Sequence, residues 1–140
     1  MTDALVPAPE LVARFQADLA PLVADEAKVG IAVSGGPDSL ALLLLAAAAR
    51  PSRIEAATVD HQLRPESGAE AAFVSDICSR LGVPHATLRT TVESGASLQA
   101  QARTARYHTL GDWAIEQGLD AVATAHHADD QAETLLMRLA

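Results

Sequence analysis

Residues 29–45, Val-Gly-Ile-Ala-Val-Ser-Gly-Gly-Pro-Asp-Ser-Leu-Ala-Leu-Leu-Leu-Leu, constrain the fold more than any other part of the chain. An apolar, β-branched run of strand length leads into a tight Ser-Gly-Gly-Pro-Asp-Ser turn, and a strongly apolar helix-forming segment follows. A strand, a glycine turn and a buried helix together form an anion site. Gly35 and Gly36 are expected to adopt backbone conformations that a Cβ would forbid. Amides at the helix start then point into the loop, and the macrodipole adds positive potential there. Ser34 and Ser39 supply hydroxyls at the two ends, with Pro37 between them. Asp38 is the odd member, a carboxylate beside an expected phosphate. It makes sense if Mg²⁺ sits between the two, because that ion is usually held by one or two carboxylates plus phosphate oxygens.

The turn lacks the Gly-Lys-Ser/Thr of a Walker A loop and the spacing of the dinucleotide G-x-G-x-x-G. It also lacks the G-x-S-x-G of a nucleophile elbow. The plain alternative is a strand-to-helix turn that is glycine-rich for packing alone. A length of 140 residues fits one domain, and 49% apolar residues give it a core. With only 3% aromatic residues, that core must be Ala, Leu and Val on helices packed against a sheet. A formal charge of −8 argues against the chain alone gripping a nucleic acid, whose backbone is usually met by a basic surface. A local basic patch stays open, since nine of the ten cationic residues are Arg. The lone Cys78 excludes an intrachain disulfide and any Cys-x-x-Cys site. No signal segment opens the chain, and the longest apolar run, residues 40–49, is too short to span a bilayer. A cytoplasmic protein without a membrane partner is the expectation.

Apolar spacing predicts an amphipathic helix over Glu10–Val23, with Leu11, Phe15, Leu19 and Leu22 on one face. A strand over Lys28–Val33 is apolar nearly throughout, as one covered on both faces would be. Helix follows from about Asp38 to Arg50, then a strand over Arg53–Asp60 and a polar loop over Gln62–Gly68. Helix over Ala69–Leu81 stops at Gly82; strand over Pro84–Thr90 precedes a loop at Val92–Ala96. Ser97 caps a long helix to about Gln117, Leu119–Thr124 is a further strand, and Ala128–Ala140 opens a last helix. The alternation predicts an α/β fold, a doubly wound parallel sheet with helices on both faces. In such sheets ligands bind beyond the C-terminal strand ends, where strand order reverses. The glycine turn, Val59-Asp60-His61 and Ala125-His126-His127 all fall on that rim.

Three polar clusters surround it. Val59-Asp60-His61-Gln62-Leu63-Arg64-Pro65-Glu66-Ser67 leaves a strand; it is either a solvated loop or a contact to a nucleoside, with His61 and Arg64 facing phosphate or substrate. Arg103 and Arg106 lie three apart on a helix. Their planar forks suit phosphate, although a solvated stripe pairing with Asp and Glu is the ordinary alternative. Thr124-Ala125-His126-His127-Ala128-Asp129-Asp130-Gln131-Ala132-Glu133-Thr134 gathers imidazoles and carboxylates. On a helix His126 and Asp130, and Asp130 and Glu133, could share a face, as in a metal-dependent phosphoesterase. A purely structural reading is that Asp129 and Asp130 complement a helix dipole.

Ser-Gly-Gly-x-Asp-Ser resembles the signature of the ATP pyrophosphatase (PP-loop) superfamily, whose members split ATP between the α and β phosphates. The later clusters, Asp-His-Gln-Leu-Arg-Pro-Glu-Ser, Ala-Arg-Thr-Ala-Arg-Tyr and Ala-Thr-Ala-His-His-Ala-Asp-Asp-Gln-Ala-Glu-Thr-Leu-Leu-Met-Arg-Leu, resemble the N-terminal domain of the tRNA(Ile)-lysidine synthetase family. The resemblance spans residues 28–140, and the last motif is its most specific part. It implies an adenine nucleotide alpha hydrolase-like, Rossmann-like domain over 28–140, truncated at its C-terminal end, with 1–27 as an N-terminal helix and lead-in. It implies ATP and Mg²⁺ as cofactors, with isoleucine tRNA and free L-lysine as partners. ATP would adenylate the C2 oxygen of the wobble cytidine, and lysine would then displace AMP. Ser34, Gly35, Gly36, Pro37, Asp38 and Ser39 would hold pyrophosphate, with Asp38 on Mg²⁺ and Asp60 and His61 toward the nucleotide. His126 and His127 would lie near the reacting phosphate, Arg103 and Arg106 would steady its charge, and Asp130 and Glu133 would bind lysine. Gln99 stands where the family often carries Glu, and the chain stops before an expected Arg-Gly-Ser-Gly stretch and tRNA-binding domains. Rival readings are a tRNA thiolase or amidotransferase synthetase with the same loop, and a non-catalytic nucleotide-binding module. Oligomeric state leaves no mark in the sequence.

Overall fold

The computed structural model describes residues 6–62, 65–90, 98–128 and 131–138; residues 98–99, 126–128 and 131–138 are described by backbone. The elements run α1 (Pro9–Leu19), β1 (Val29–Ala32), α2 (Pro37–Ala49), β2 (Ile54–Asp60), α3 (Glu66–Leu81), β3 (His85–Arg89), α4 (Leu98–Gln117), β4 (Ala121–Ala128) and β5 (Gln131–Arg138). They build one sheet in the order β3-β2-β1-β4-β5. The first four strands are parallel: Ala32 sits opposite Ala57 of β2 and Thr124 of β4. Two crossovers step outward from β1 to β3, and α4 then carries the chain back across to β4. Strand order therefore reverses between β1 and β4, where ligands collect in sheets of this type.

Helices cover both faces, as the alternation of elements predicts. Ile31, Ile54, Ala56 and Ala123 bury one face against Leu42, Leu43, Val74 and Cys78 of α2 and α3, with Leu19 of α1 beside them. Ala32, Ala57 and Val122 bury the other against Leu110, Trp113 and Ala114 of α4. The sheet is lined mostly by small residues, so helix backbones approach it closely, consistent with a core poor in aromatic rings. Arg50, at the end of α2, is buried at the opposite end of the sheet from the glycine turn. Its Nη2 donates to the carbonyls of Ala24, Asp25 and Ala27 at 2.7, 3.0 and 2.6 Å. One guanidinium thus fixes the turn that aims β1.

Several boundaries differ from expectation, and β4 runs over Ala121–Ala128 rather than ending at Thr124. α1 ends at Leu19 rather than Val23. The polar loop after β2 is shorter than expected, because α3 starts at Glu66 and buries Ser67. The helix expected from Ala128 is instead a strand, β5, antiparallel to β4 and joined to it through two residues. Without a partner β4 would leave a row of unpaired backbone groups, and pairing with residues 131–138 satisfies them. Thr134 is favourable in a strand, but Leu135, Leu136 and Met137 are good helix formers, so the tertiary demand overrides local preference here.

At the far edge, Thr58 Oγ1 and His85 Nε2 lie 2.9 Å apart between β2 and β3. Burial pushes the His85 imidazole below its ordinary value. The unfolded chain therefore takes up a proton near pH 6.5 that the folded one still refuses. This part of the stability is full above pH 6.5 and is lost as pH falls toward the lower folded-state value. Urea midpoints of the wild type and His85→Gln, compared between pH 7.5 and 5, should show a shallower acid loss in the variant. Equal slopes would remove His85 as the cause.

Candidate functional site

The site grows from the end of β1. Val33 still donates to Ala57 O at 2.9 Å; beyond it the chain leaves the sheet and re-enters order as α2, with Pro37 at the first helical position. Proline there gives up no needed donor, since the first-turn amides have no intrahelical acceptor. The intrahelical ladder starts with Leu40 N to Gly36 O at 3.1 Å, so the amides of Asp38 and Ser39 precede it and face out of the helix start.

Two serines lock this turn. Ser39 is buried, and its Oγ accepts from Ser34 N at 3.0 Å. The same oxygen lies 3.0 Å from Ser34 Oγ, 2.9 Å from Ser34 O and 3.2 Å from Gly36 O. Its single proton is shared among these acceptors. Ser34 Oγ in turn accepts from Gly36 N at 3.2 Å, while the residue as a whole is exposed. Ser39 thus shapes the loop from inside, and Ser34 stands at its surface with exposed Asp38. The glycines act differently from expectation. Neither Gly35 nor Gly36 has a positive φ; Gly36 is extended at φ −78°, ψ 159°. What Gly35 provides is clearance, because a Cβ there would sit 3.2 Å from Glu70 Cγ of α3.

At the end of β2, Asp60 is buried and its Oδ1 accepts from Gln62 N at 2.9 Å. The carboxylate holds a sharp turn in which Gln62 takes φ 59°, a left-handed conformation uncommon outside glycine. Gln62 Nε2 reaches Thr90 O at 3.3 Å. This turn puts His61 into a cleft of about 280 Å³ with Ala102, Arg103, Arg106 and Tyr107 of α4. Both guanidiniums face the Tyr107 ring, at 5.7 and 6.0 Å from its centroid. The described ion pairs, Lys28–Glu55 and Arg80–Asp76, lie elsewhere. The arginines are therefore better described as a cationic pair around an aromatic ring than as a surface stripe among carboxylates. Arg106 is half-buried; burial lowers its pKa from the ordinary value, with the neighbouring Arg103 charge adding to the effect and Tyr107 opposing it. Its Nη2 donates to Thr124 Oγ1 of β4 at 3.2 Å.

The fold thus brings Arg103, Arg106 and His61 together. It sets the backbone of His126 on the strand beside the glycine turn, two residues past the Ala32–Thr124 pair, as Ser34 is on its own side. The expected helical pairing of His126, Asp130 and Glu133 is replaced by a strand register in which Glu133 stands opposite His126 and Ala132 opposite His127. Asp130 lies outside the described residues. Thr124 and Tyr107 were not singled out by sequence. The available signal was position: a hydroxyl two residues before the paired histidines, and an aromatic ring directly after the second arginine.

For Mg²⁺, the described residues hold no cluster of three or more potential ligands. Asp38, exposed at the mouth of the loop, fits the other mode of holding that ion, one carboxylate with phosphate oxygens completing the shell. A larger, mostly apolar cavity of about 480 Å³ lies beneath α1, lined by Phe15, Leu19, Ile31, Ile54 and Arg50. It sits toward the N-terminal strand ends, away from these groups.

Comparison with known proteins bears on the family and the fold. The chain is 57% identical over 114 residues to a tRNA(Ile)-lysidine synthase of Zymomonas mobilis, covering 81% of this chain and 34% of that protein. To the enzyme of the same name from Novosphingobium aromaticivorans it is 54% identical over 126 residues, 90% of this chain and 38% of that one. The chain thus spans a little over a third of the length of these curated relatives. Among solved structures, the U34-tRNA thiolase NcsA of Methanococcus maripaludis superposes with a TM-score of 0.69 at 19% identity, over 88% of this chain and 48% of its own. The NH3-dependent NAD synthetase of Campylobacter jejuni gives 0.59 at 16%, over 81% and 52%. These two carry the fold alone. Residues 8–140 match the PP-loop domain family, and the chain belongs to it.

Proposed function

We propose that residues 28–140 are the ATP-using domain of an enzyme that joins lysine to C2 of the wobble cytidine of an isoleucine tRNA. In the first step the cytidine O2 attacks the α-phosphorus of ATP, the bond to the β-phosphate oxygen breaks, and pyrophosphate leaves. In the second, a lysine amine attacks C2, loses a proton, and AMP departs with the O2 atom. The Ser34–Ser39 loop receives the pyrophosphate through first-turn amides and the Ser34 hydroxyl. Gly35 and Gly36 let it approach bare backbone, and Pro37 fixes the helix start. Asp38 would hold Mg²⁺, and that ion would supply positive charge to neutralise the leaving group. Arg103 and Arg106 meet charge developing at the α-phosphate, with His61 beside them, His126 and His127 at the neighbouring strand end, and Asp60 shaping the turn. Asp130 and Glu133 supply the carboxylates that a cationic substrate needs. The position of the Ser34–Ser39 turn at the strand-order reversal between β1 and β4 is what supports this reading most.

Cys78 weighs against a thiolase in which a cysteine acts. It is fully buried in α3, and burial pushes its thiol up to about 11, so thiolate is scarce at neutral pH. The deciding assay is pyrophosphate release from ATP, with and without lysine and isoleucine tRNA. Release that depends on the tRNA, with AMP formed on adding lysine, is the expected result. Metal-dependent phosphate-ester cleavage without AMP would replace the ligase by a phosphoesterase.

A further inference from the structure

We infer that Thr124 is a positioning residue, one that sets the Arg106 guanidinium over the β1–β4 junction without neutralising it. The inference rests on the reading of Arg106 given above and adds what holds that group in place. Thr124 is 1% exposed, midway along β4 and directly opposite Ala32, which itself stands two residues before Ser34. Its Oγ1 receives Arg106 Nη2 at 3.2 Å, the one side-chain tie from α4 to the strands on either side of the strand-order reversal among the described hydrogen bonds.

Left alone, this guanidinium has reasons to move away. Its partial burial and the Arg103 charge both disfavour a cation there, and a long side chain loses rotamer freedom when held. The cation–π contact with Tyr107 is shared with Arg103 and fixes distance to the ring rather than direction. A hydrogen bond from a rigid, buried β-branched side chain fixes direction. The chemistry of the acceptor matters as much as its place. A carboxylate would hold Arg106 more tightly but would spend its positive charge, whereas a hydroxyl leaves that charge available to a phosphate. Thr124→Val keeps the buried shape and removes the acceptor; Thr124→Ser keeps the acceptor.

The experiment is a double-mutant cycle in the full-length protein, combining Thr124→Val with Arg106→Ala, with Thr124→Ser as rescue. The readouts are kcat for tRNA-dependent pyrophosphate release and the ATP dissociation constant. Thr124→Val is expected to lower kcat by about tenfold to a hundredfold while ATP affinity stays within about threefold, the pattern of an interaction made in the transition state. Thr124→Ser should restore most of the rate, and Thr124→Val should cost nothing further once Arg106 is Ala. A Thr124→Val loss that persists in the Arg106→Ala background, or that Ser fails to rescue, overturns the positioning role. A second readout needs no turnover: guanidinium ¹⁵N–¹H resonances of Arg106 in the folded protein. They should show slow rotation in the wild type and Thr124→Ser, and averaged, solvent-like behaviour in Thr124→Val; identical spectra in all three overturn the inference. If no tRNA supports pyrophosphate release, the reading of the enzyme fails, and the resonance comparison still decides the Thr124–Arg106 tie.

Discussion

Asp38→Asn is expected to lower tRNA-dependent pyrophosphate release from ATP by on the order of a hundredfold or more, while the protein stays folded. Asn preserves the size of the side chain and removes its charge. Asp38 is exposed at the first turn of α2, so the change opens no cavity; loss of its favourable interaction with the helix N-terminus costs less than about 1 kcal/mol. The catalytic effect is far larger because the same charge is assigned to Mg²⁺. A neutral amide still offers an oxygen but attracts a divalent cation weakly. The variant should therefore also demand a higher Mg²⁺ concentration for half-maximal rate. Rate and Mg²⁺ dependence both equal to wild type would remove Asp38 from the site. A loss of rate accompanied by a large fall in thermal midpoint would instead mark it as a structural residue.

The largest effect on stability should come from Gly30→Ala, one methyl group in the middle of β1. An added Cβ would lie 2.7 Å from Cζ3 and 3.0 Å from the Cη2 corner of the Trp113 ring, and 2.8 Å from Leu119 Cδ1. Leu119 can swing its terminal methyl aside. Trp113 cannot, being 5% exposed and rigid within the α4 side of the core. Relief requires either an off-rotamer tryptophan or a displaced α4, and overpacking of this kind typically costs about 1–3 kcal/mol. For a domain of this size that corresponds to a thermal midpoint lower by on the order of 10 °C at the upper end. Trp113 is the only tryptophan, so its fluorescence reports the displacement directly and should shift to the red before unfolding. Because α4 carries Arg103 and Arg106, pyrophosphate release should fall with it. Trp113→Leu in the Gly30→Ala background gives the methyl room and should recover much of the lost stability. An unchanged midpoint and emission in Gly30→Ala would mean that the sheet and α4 are less closely packed than their separation indicates.

Gly30 and the loop glycines show how far residue identity alone can be read. In the sequence Gly30 passes as one member of an apolar strand; only the position of Trp113, 83 residues later, explains why no side chain fits. Gly35 and Gly36 invite the opposite error, since a glycine pair in a turn suggests left-handed backbone, yet neither adopts it. The room that Gly35 leaves is measured against Glu70 of α3. Motif position suggests a ligand contact for Ser39, and only the folded turn shows that its hydroxyl also bonds Ser34 from inside.

Local chemistry along the chain determined most of the elements and their order. Apolar period, glycine and proline stops, and alternating strands and helices follow from neighbours a few residues apart, and they lead to a parallel sheet with the polar clusters on one rim. Tertiary structure alone decided the rest. The reversal of strand order between β1 and β4 depends on which way α4 crosses the sheet. The gathering of His61, Arg103, Arg106 and Tyr107 depends on a turn and a helix that meet only in space. Residues 131–138 became a strand because the open edge of β4 needed a partner, a demand that no window of local sequence contains.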